Sequence, residues 1–348
     1  MISNALKVVA LLGVVATSLA PSPTPACTRV LWNGGSPAIL VGRTMDWPES
    51  TDPILTALPR GLKHDGGRLG KESLNDPNPA VWTSKYGSLV TQLYGLGSAD
   101  GINERGLAAH LLYLNATDFG ARDKTLPGVQ AGLWAQYALD NAAGVAEALD
   151  LLMKTQPIPI EAHGHKANVH LALEDASGDS AIIEYIDGKP VVHHGRDFRV
   201  MTNDPSYDEQ LELLKAQDFS KPSSDTPLPG NVNPRDRFQR ASYYLSMVPT
   251  PKTEREGVAS VLAVMRNVSV PFGAPYKSFG VYNTEYRTVS DTTNKIYFFE
   301  LTTSPNVVWT DLKALDFRPG APVRVLNPDS IDLSGDVSGD YRRAPPPY

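Results

Sequence analysis

The 348 residues suffice for one large domain or two ordinary ones, and 41% apolar with 20% charged residues is the composition of a soluble globular protein. A net charge of −6 with no basic run excludes recognition of a nucleic-acid backbone, and it equally excludes polybasic attachment to a membrane surface.

Taken in chain order, the first informative segment is the N-terminus. Lys7 precedes an apolar stretch from Val8 to Ala20 that has the length of a signal-peptide core and is too short to span a bilayer. Small residues and prolines follow up to Ala26, and Cys27 comes next. Ala26 suits the position before a signal-peptidase cut, whereas Thr24 is a poor match to a lipoprotein signal. Residues 1–26 are therefore expected to be a removable leader, and 27–348 a single catalytic domain.

Thr28 to Trp32 and Ala38 to Thr44 predict a hairpin around the turn Asn33-Gly-Gly-Ser-Pro37. Ser88 to Tyr94 and Leu107 to Leu114 read as strands separated by a turn at Ala99-Asp-Gly-Ile-Asn103. Val129 to Leu139 reads as a helix, and Val145, Leu149, Leu152 and Met153 share one face of a second. Val169 to Leu173, Ala181 to Ile186 and Pro190 to His193 predict a meander, and Val200 to Thr202 a further strand ending at Asn203. Helices are expected at Tyr207 to Asp218, Arg237 to Met247 and Thr253 to Arg266. Strands follow at Tyr286 to Val289, Lys295 to Leu301 and Asn306 to Thr310. From about Asp329 the chain is polar and includes a triple proline, which predicts a loosely held tail. Strand runs alternating with helix pairs imply an α+β protein of sheets packed together with helices outside.

Cys27 is the only cysteine, so an exported chain has no partner for an internal disulfide. Its position at the expected start of the mature protein points to chemistry. A thiol attacking an amide carbonyl needs a proton acceptor, charge stabilisation and a proton for the leaving amine. A terminal cysteine brings its own acceptor, because its α-amino group ionises near pH 7.7–8.0 and reaches its own sulfur. Arg43 and Asp46, in Gly42-Arg-Thr-Met-Asp-Trp47, fall on the strand expected to pair with that of Cys27. An Arg near the sulfur favours thiolate, and a carboxylate near the amine orients it.

Cys27-Thr-Arg29 and Gly42-Arg-Thr-Met-Asp-Trp47 together resemble the choloylglycine hydrolase family, which includes conjugated bile salt hydrolases and penicillin V acylases. Asp100-Gly-Ile-Asn-Glu-Arg-Gly-Leu107, Val200-Met-Thr-Asn-Asp-Pro205 and Asp236-Arg-Phe238 continue the likeness in order. The resemblance implies a four-layer αββα N-terminal nucleophile hydrolase sandwich with antiparallel sheets and no cofactor. It implies Cys27 as nucleophile, its amine as base, and Arg43 and Asp46 as its immediate partners. Asn203 would offer its side-chain amide, and Tyr113 its backbone N–H, to the oxyanion, with Arg237 behind the nucleophile. Tyr113 and the short interval from Asn203 to Arg237 resemble the Gram-negative, exported branch. Its members include penicillin V acylases that also deacylate N-acyl-homoserine lactones, and it implies a periplasmic homotetramer. The substrate would then be a small amide with an apolar acyl group, and Trp47 and Trp82 are candidates for its pocket.

Three other readings compete. A conjugated bile salt hydrolase shares the same motifs. A metal enzyme would draw on His163, His165, His170, His193 and His194, but no carboxylate or Cys spacing completes a recognisable site. A silent binding protein of the same fold predicts loss of a residue around the nucleophile, and Cys27, Arg43, Asp46, Asn203 and Arg237 are all present. No Gly-x-Ser-x-Gly elbow or dinucleotide fingerprint occurs.

Overall fold

Two sheets lie face to face in a computed structural model that describes residues 26–35, 37–275 and 281–348. The expected leader falls outside the described residues, apart from Ala26. In the first sheet the strand order is Val200–Met201, β1 (Ala26–Trp32), β2 (Leu40–Trp47), Val281–Asp291, Ile296–Leu301, Val308–Asp311 and Gly335–Asp336. The second runs Lys189–His194, Ser180–Ile186, Val169–Glu174, Ala108–Tyr113, Gly97–Asn103, Ser88–Leu93, Ile54–Leu58, Arg324–Leu326 and Arg342–Arg343. Pairing is antiparallel throughout both sheets except where Val308–Asp311 meets Gly335–Asp336. Helices α1 (Trp134–Asn141) and α2 (Val145–Leu152) cover the second sheet. Of α3 (Tyr207–Lys215), α4 (Pro234–Met247) and α5 (Glu254–Asn267), the last two cover the first. The result is the αββα sandwich.

Strand alternation decides what each side of the β1–β2 hairpin does. Its register sets Cys27 opposite Met45, Thr28 opposite Thr44, and Arg29 opposite Arg43. Cys27, Arg29, Arg43 and Met45 therefore share the face that looks into the gap between the sheets. Thr28, Gly42, Thr44 and Asp46 share the face beneath α4 and α5. Gly42 is required there because a Cβ would stand 2.5 Å from Met265 Sδ and 2.7 Å from Val261 Cγ1, both on α5. Gly42→Ala is expected to cost about 1–3 kcal/mol by overpacking, checked by urea denaturation of the two proteins side by side.

The Asp100–Leu107 motif folds differently from the sequence expectation. Gly97–Asn103 is a fully buried strand, and the turn falls after it, at Glu104–Leu107. Asp, Gly and Asn favour turns, but here each has a buried use that overrides the preference. Asp100 accepts from Thr288 Oγ1 (2.7 Å) and from the Tyr297 hydroxyl across the gap. Asn103 Oδ1 accepts the N–H groups of Arg105 and Leu107, while its amide donates to the carbonyls of Leu139 and Ala142, at the end of α1. Gly106, at φ +90°, closes the turn against the carbonyl of Thr292.

Two further expectations are corrected. The helix predicted over Val129–Leu139 begins only at Trp134. Gly128–Gln130 instead pairs in parallel with Gln156–Ile158, and the Gln130 side chain then caps a short 3-10 turn. The tail is not loose. Val337 and Tyr341 are buried, the Tyr341 hydroxyl meets Thr310 Oγ1 at 2.9 Å, and the segment adds an edge strand to each sheet.

Candidate active site

Cys27 is buried on the inner face of β1, with its sulfur 3.8 Å from Arg43 Nη2 and 3.8 Å from Met45 Sδ. Arg43 is itself held, donating to the Tyr286 hydroxyl (2.6 Å) and to the Leu111 carbonyl (3.2 Å) on the opposite sheet. Burial works against its charge, but Tyr286 and Cys27 outweigh that cost, and the net shift is upward. Arg43 thus stays cationic beside the sulfur. No carboxylate of the described residues lies within ion-pair distance of it. The thiol is pushed up by burial, and the Arg43 charge opposes that shift.

The backbone of Cys27 faces a different group of side chains. Its N–H donates to Asn203 Oδ1 at 2.5 Å, and Arg237 Nη2 donates to the same oxygen at 2.8 Å. Arg237 also donates to the Cys27 carbonyl at 2.6 Å and to Thr28 Oγ1. Asn203 follows Val200–Met201, which pairs with β1, and Arg237 stands in the first turns of α4, where Asn233 caps the helix. Asn203 Nδ2 donates to the Tyr113 carbonyl at 2.6 Å. In this structure the amide nitrogen expected to face an oxyanion is therefore engaged.

Asp46 lies on the far side of β2 from the sulfur. It accepts from Thr44 Oγ1 (3.2 Å) and Thr284 Oγ1, and its Oδ2 is 3.6 Å from Arg237 Nη1. Burial raises its carboxyl, and Arg237 and the two threonines pull back against that. A register shift in the pairing of Met45 and Asp46 with the Val281–Asp291 strand is what brings Thr284 opposite Asp46. The Asp46 backbone N–H faces the Cys27 thiol and the carboxylate's negative charge pushes that thiol up, while the carboxylate itself is tied to Arg237, which holds the Cys27 carbonyl.

A cavity of about 120 Å³ opens at the sulfur. Its walls are mostly apolar and include Trp47, Leu93, Leu111, Tyr113, Ile160 and Val169. Trp47 packs edge-on against Tyr113, ring centroids 6.3 Å apart, as the expected pocket residue. Trp82 does not line it. Its indole donates to Asp140 Oδ2 (2.7 Å) within a separate cluster under α1, where burial pushes Asp140 up to about 7. The candidate histidines are scattered as well: His163 stacks on Tyr94, His165 packs on Trp47, His170 meets Glu184, and His194 meets Asp179.

Met45, Tyr286, Thr284 and Thr28 were not singled out from the sequence. Met45 and Thr28 sit inside motifs read for other residues, and strand alternation would have put Met45 beside Cys27. Nothing local marks Tyr286 or Thr284.

Residues 27–334 match the profile of the linear amide C–N hydrolases, choloylglycine hydrolase family. A penicillin V acylase of Pectobacterium atrosepticum is 37% identical, the match covering 96% of this chain and 95% of that protein. The structure of a penicillin V acylase from Agrobacterium tumefaciens superposes with a TM-score of 0.81 at 39% identity, covering 92% of this chain and 98% of the other. A conjugated bile acid hydrolase from Clostridium perfringens shares the fold, with a TM-score of 0.72 at 20% identity over 86% of this chain and 96% of its own.

Proposed function

Because this chain belongs to the choloylglycine hydrolase family, and so hydrolyses linear amide C–N bonds, we propose that it is a penicillin V acylase-like enzyme working through Cys27 as a terminal nucleophile. The observation that carries this reading is the division of Cys27 between two environments. Its sulfur lies in an apolar cavity beside a buried cation, and its N–H donates to Asn203 Oδ1, an oxygen that Arg237 also holds.

The mechanism follows from those placements. Cleavage after Ala26 leaves an amine that still donates to Asn203 Oδ1 and gains a free lone pair. That lone pair takes the thiol proton as sulfur bonds to the amide carbon, and Arg43 stabilises the charge building on sulfur. The tetrahedral oxyanion is met by backbone and amide donors at Tyr113 and Asn203 once substrate displaces the Tyr113 carbonyl from Asn203 Nδ2. Collapse breaks the C–N bond, and the leaving amine carries away the proton held by the Cys27 nitrogen. Water, deprotonated by the same amine, then hydrolyses the thioester, and the thiol is regenerated. Asn203→Ala is expected to lower kcat about 10²-fold, read from steady-state kinetics, because an oxyanion donor is lost.

The acyl group is apolar, since Trp47, Leu93, Leu111 and Ile160 offer it almost no polar partner. The leader and the family likeness support export to the periplasm, and the likeness supports a homotetramer. N-acyl-homoserine lactones, apolar acyl amides, are second substrates on the same argument. Offering penicillin V, an N-acyl-homoserine lactone and a glycine-conjugated bile salt to the processed protein tests this, with kcat/KM compared across the three. The expected order puts penicillin V first. A bile salt at the head of the order overturns the acylase assignment within the family.

A further inference from the structure

The strand Gly97–Asn103 changes the side it presents part-way along. Ser98 turns outward, its Oγ bonding Gln136 of α1 at 2.8 Å, and Asp100 turns inward to Thr288 and Tyr297 of the facing sheet. Residues two apart on a regular strand share a face, so one residue here is surplus. The pairing with Ser88–Leu93 shows which one. Gln92 stands opposite Ser98 and Thr91 opposite Asp100, which leaves Ala99 without a counterpart. This is a β-bulge, a device that re-aims a side chain beside an active site.

Ala99 is the residue re-aimed. It is buried, it lines the cysteine cavity, and it belongs to the apolar cluster of Cys27 and Met45 instead of the cluster under α1. Its methyl group therefore faces the gap between the sheets. Much of the apolar wall around it is bulky, with Trp47, Leu93, Leu112 and Ile160. A methyl group among these side chains leaves open the space that a larger residue would fill.

The strand has little room to retreat from a larger side chain. A Cβ at Gly97 would stand 2.4 Å from the Gly132 carbonyl oxygen, so the backbone there is already in close contact. On the other side Asp100 ties the strand to the first sheet. Atoms added to Ala99 thus enter the cavity, because the close-packed surroundings do not absorb them.

We propose that Ala99 sets the size limit of the acyl group, by leaving open the volume that the acyl carbons occupy. The inference rests on the acylase reading, and it adds the residue that decides how large an acyl group such an enzyme takes.

The test uses the expressed full chain, its start established by intact mass, and N-acyl amides of one amine with straight acyl groups. The readout is the ratio of kcat/KM for octanoyl to that for propanoyl substrate. Partial unfolding lowers both values equally, so it leaves the ratio unmoved. Ala99→Val is expected to lower the ratio about tenfold and Ala99→Leu further, since a single methylene in an apolar pocket is worth about tenfold or more. Ala109→Val, on the neighbouring strand but in the cluster under α1, overpacks the core elsewhere and should leave the ratio within about twofold of wild type. Ala99→Val, the milder change, decides alone if Ala99→Leu does not fold. An unchanged ratio in the folded Ala99 variants overturns the proposal, and so does an equal fall in Ala109→Val.

Calorimetric binding of propanoic and octanoic acids supplies a readout without turnover. Selective loss of octanoic acid in Ala99→Val, in a protein that cleaves none of the amides, would uphold the size limit and sink the acylase reading. Cleavage by wild type with no shift in either measurement does the reverse.

Discussion

Cys27→Ala leaves a folded protein whose amide hydrolysis is slower than wild type by at least about 10⁴-fold. The size follows from removing the atom that forms the covalent intermediate, a loss that other active-site groups do not replace. The cavity wall contains one serine, Ser98, and its oxygen is already committed to Gln136 and Tyr348. Structure should survive the change. Arg43 keeps the Tyr286 hydroxyl and the Leu111 carbonyl, Arg237 keeps the Cys27 carbonyl, and the lost sulfur leaves a void costing on the order of 1 kcal/mol. Steady-state kinetics beside a thermal melt separates the two effects. Cys27→Ser offers a stricter comparison, since it keeps an oxygen at the same place beside the same cation. Turnover near wild type in either variant ends the thiol mechanism.

The opposition of the two faces of β2 explains why so much of this site was legible in the sequence. Cys27, Arg43 and Asp46 lie on one hairpin whose turn, Asn33–Pro37, is strongly marked, and strand alternation alone divides the inner from the outer residues. Asn203 and Arg237 are far away in sequence and carry no local signal beyond a turn and a helix start; only the resemblance brought them in. Trp82 shows the converse. Tryptophan is on general grounds more often core than pocket, and Asp140 decides for the core, taking the Trp82 indole N–H from a helix more than fifty residues on.

The misread fold elements share one cause. Gly97–Asn103 carries turn-forming residues, yet each finds a partner on a different element: Asp100 on Thr288 and Tyr297, Asn103 on the end of α1. Ile54–Leu58, boxed between Pro53 and Pro59, is too short and too flanked by prolines to signal a strand, yet it pairs with Ser88–Leu93 and Arg324–Leu326 in the second sheet. In the tail, Tyr341 and Tyr348 hold against polar surroundings because their hydroxyls reach Thr310 and Ser98. Local composition predicts what a segment does when left to itself. It carries no information about a partner supplied from the other sheet.

A protein carrying one residue ahead of Cys27 that cannot be removed is expected to lose about 10³-fold in kcat while keeping its fold. General-base catalysis is worth about 10²–10⁴-fold, and the blocked chain has no base of its own at this place. The peptide nitrogen of Cys27 already donates its single hydrogen to Asn203 Oδ1, and its lone pair is delocalised into the amide. Nor does a nearby group take over. The Asp46 carboxylate is already committed, its oxygens held by Thr44, Thr284 and Arg237. Asn203 is fixed by Arg237 and by the Tyr113 carbonyl, so an added residue meets a rigid oxygen acceptor and displaces nothing. Placing a protease site within the extension makes the comparison internal. Cutting it to expose Cys27 should restore the rate in the same sample, with intact mass confirming the new end. Full activity before the cut would mean that the proton leaves the thiol by another route, and the two-environment division of Cys27 would then be structural alone.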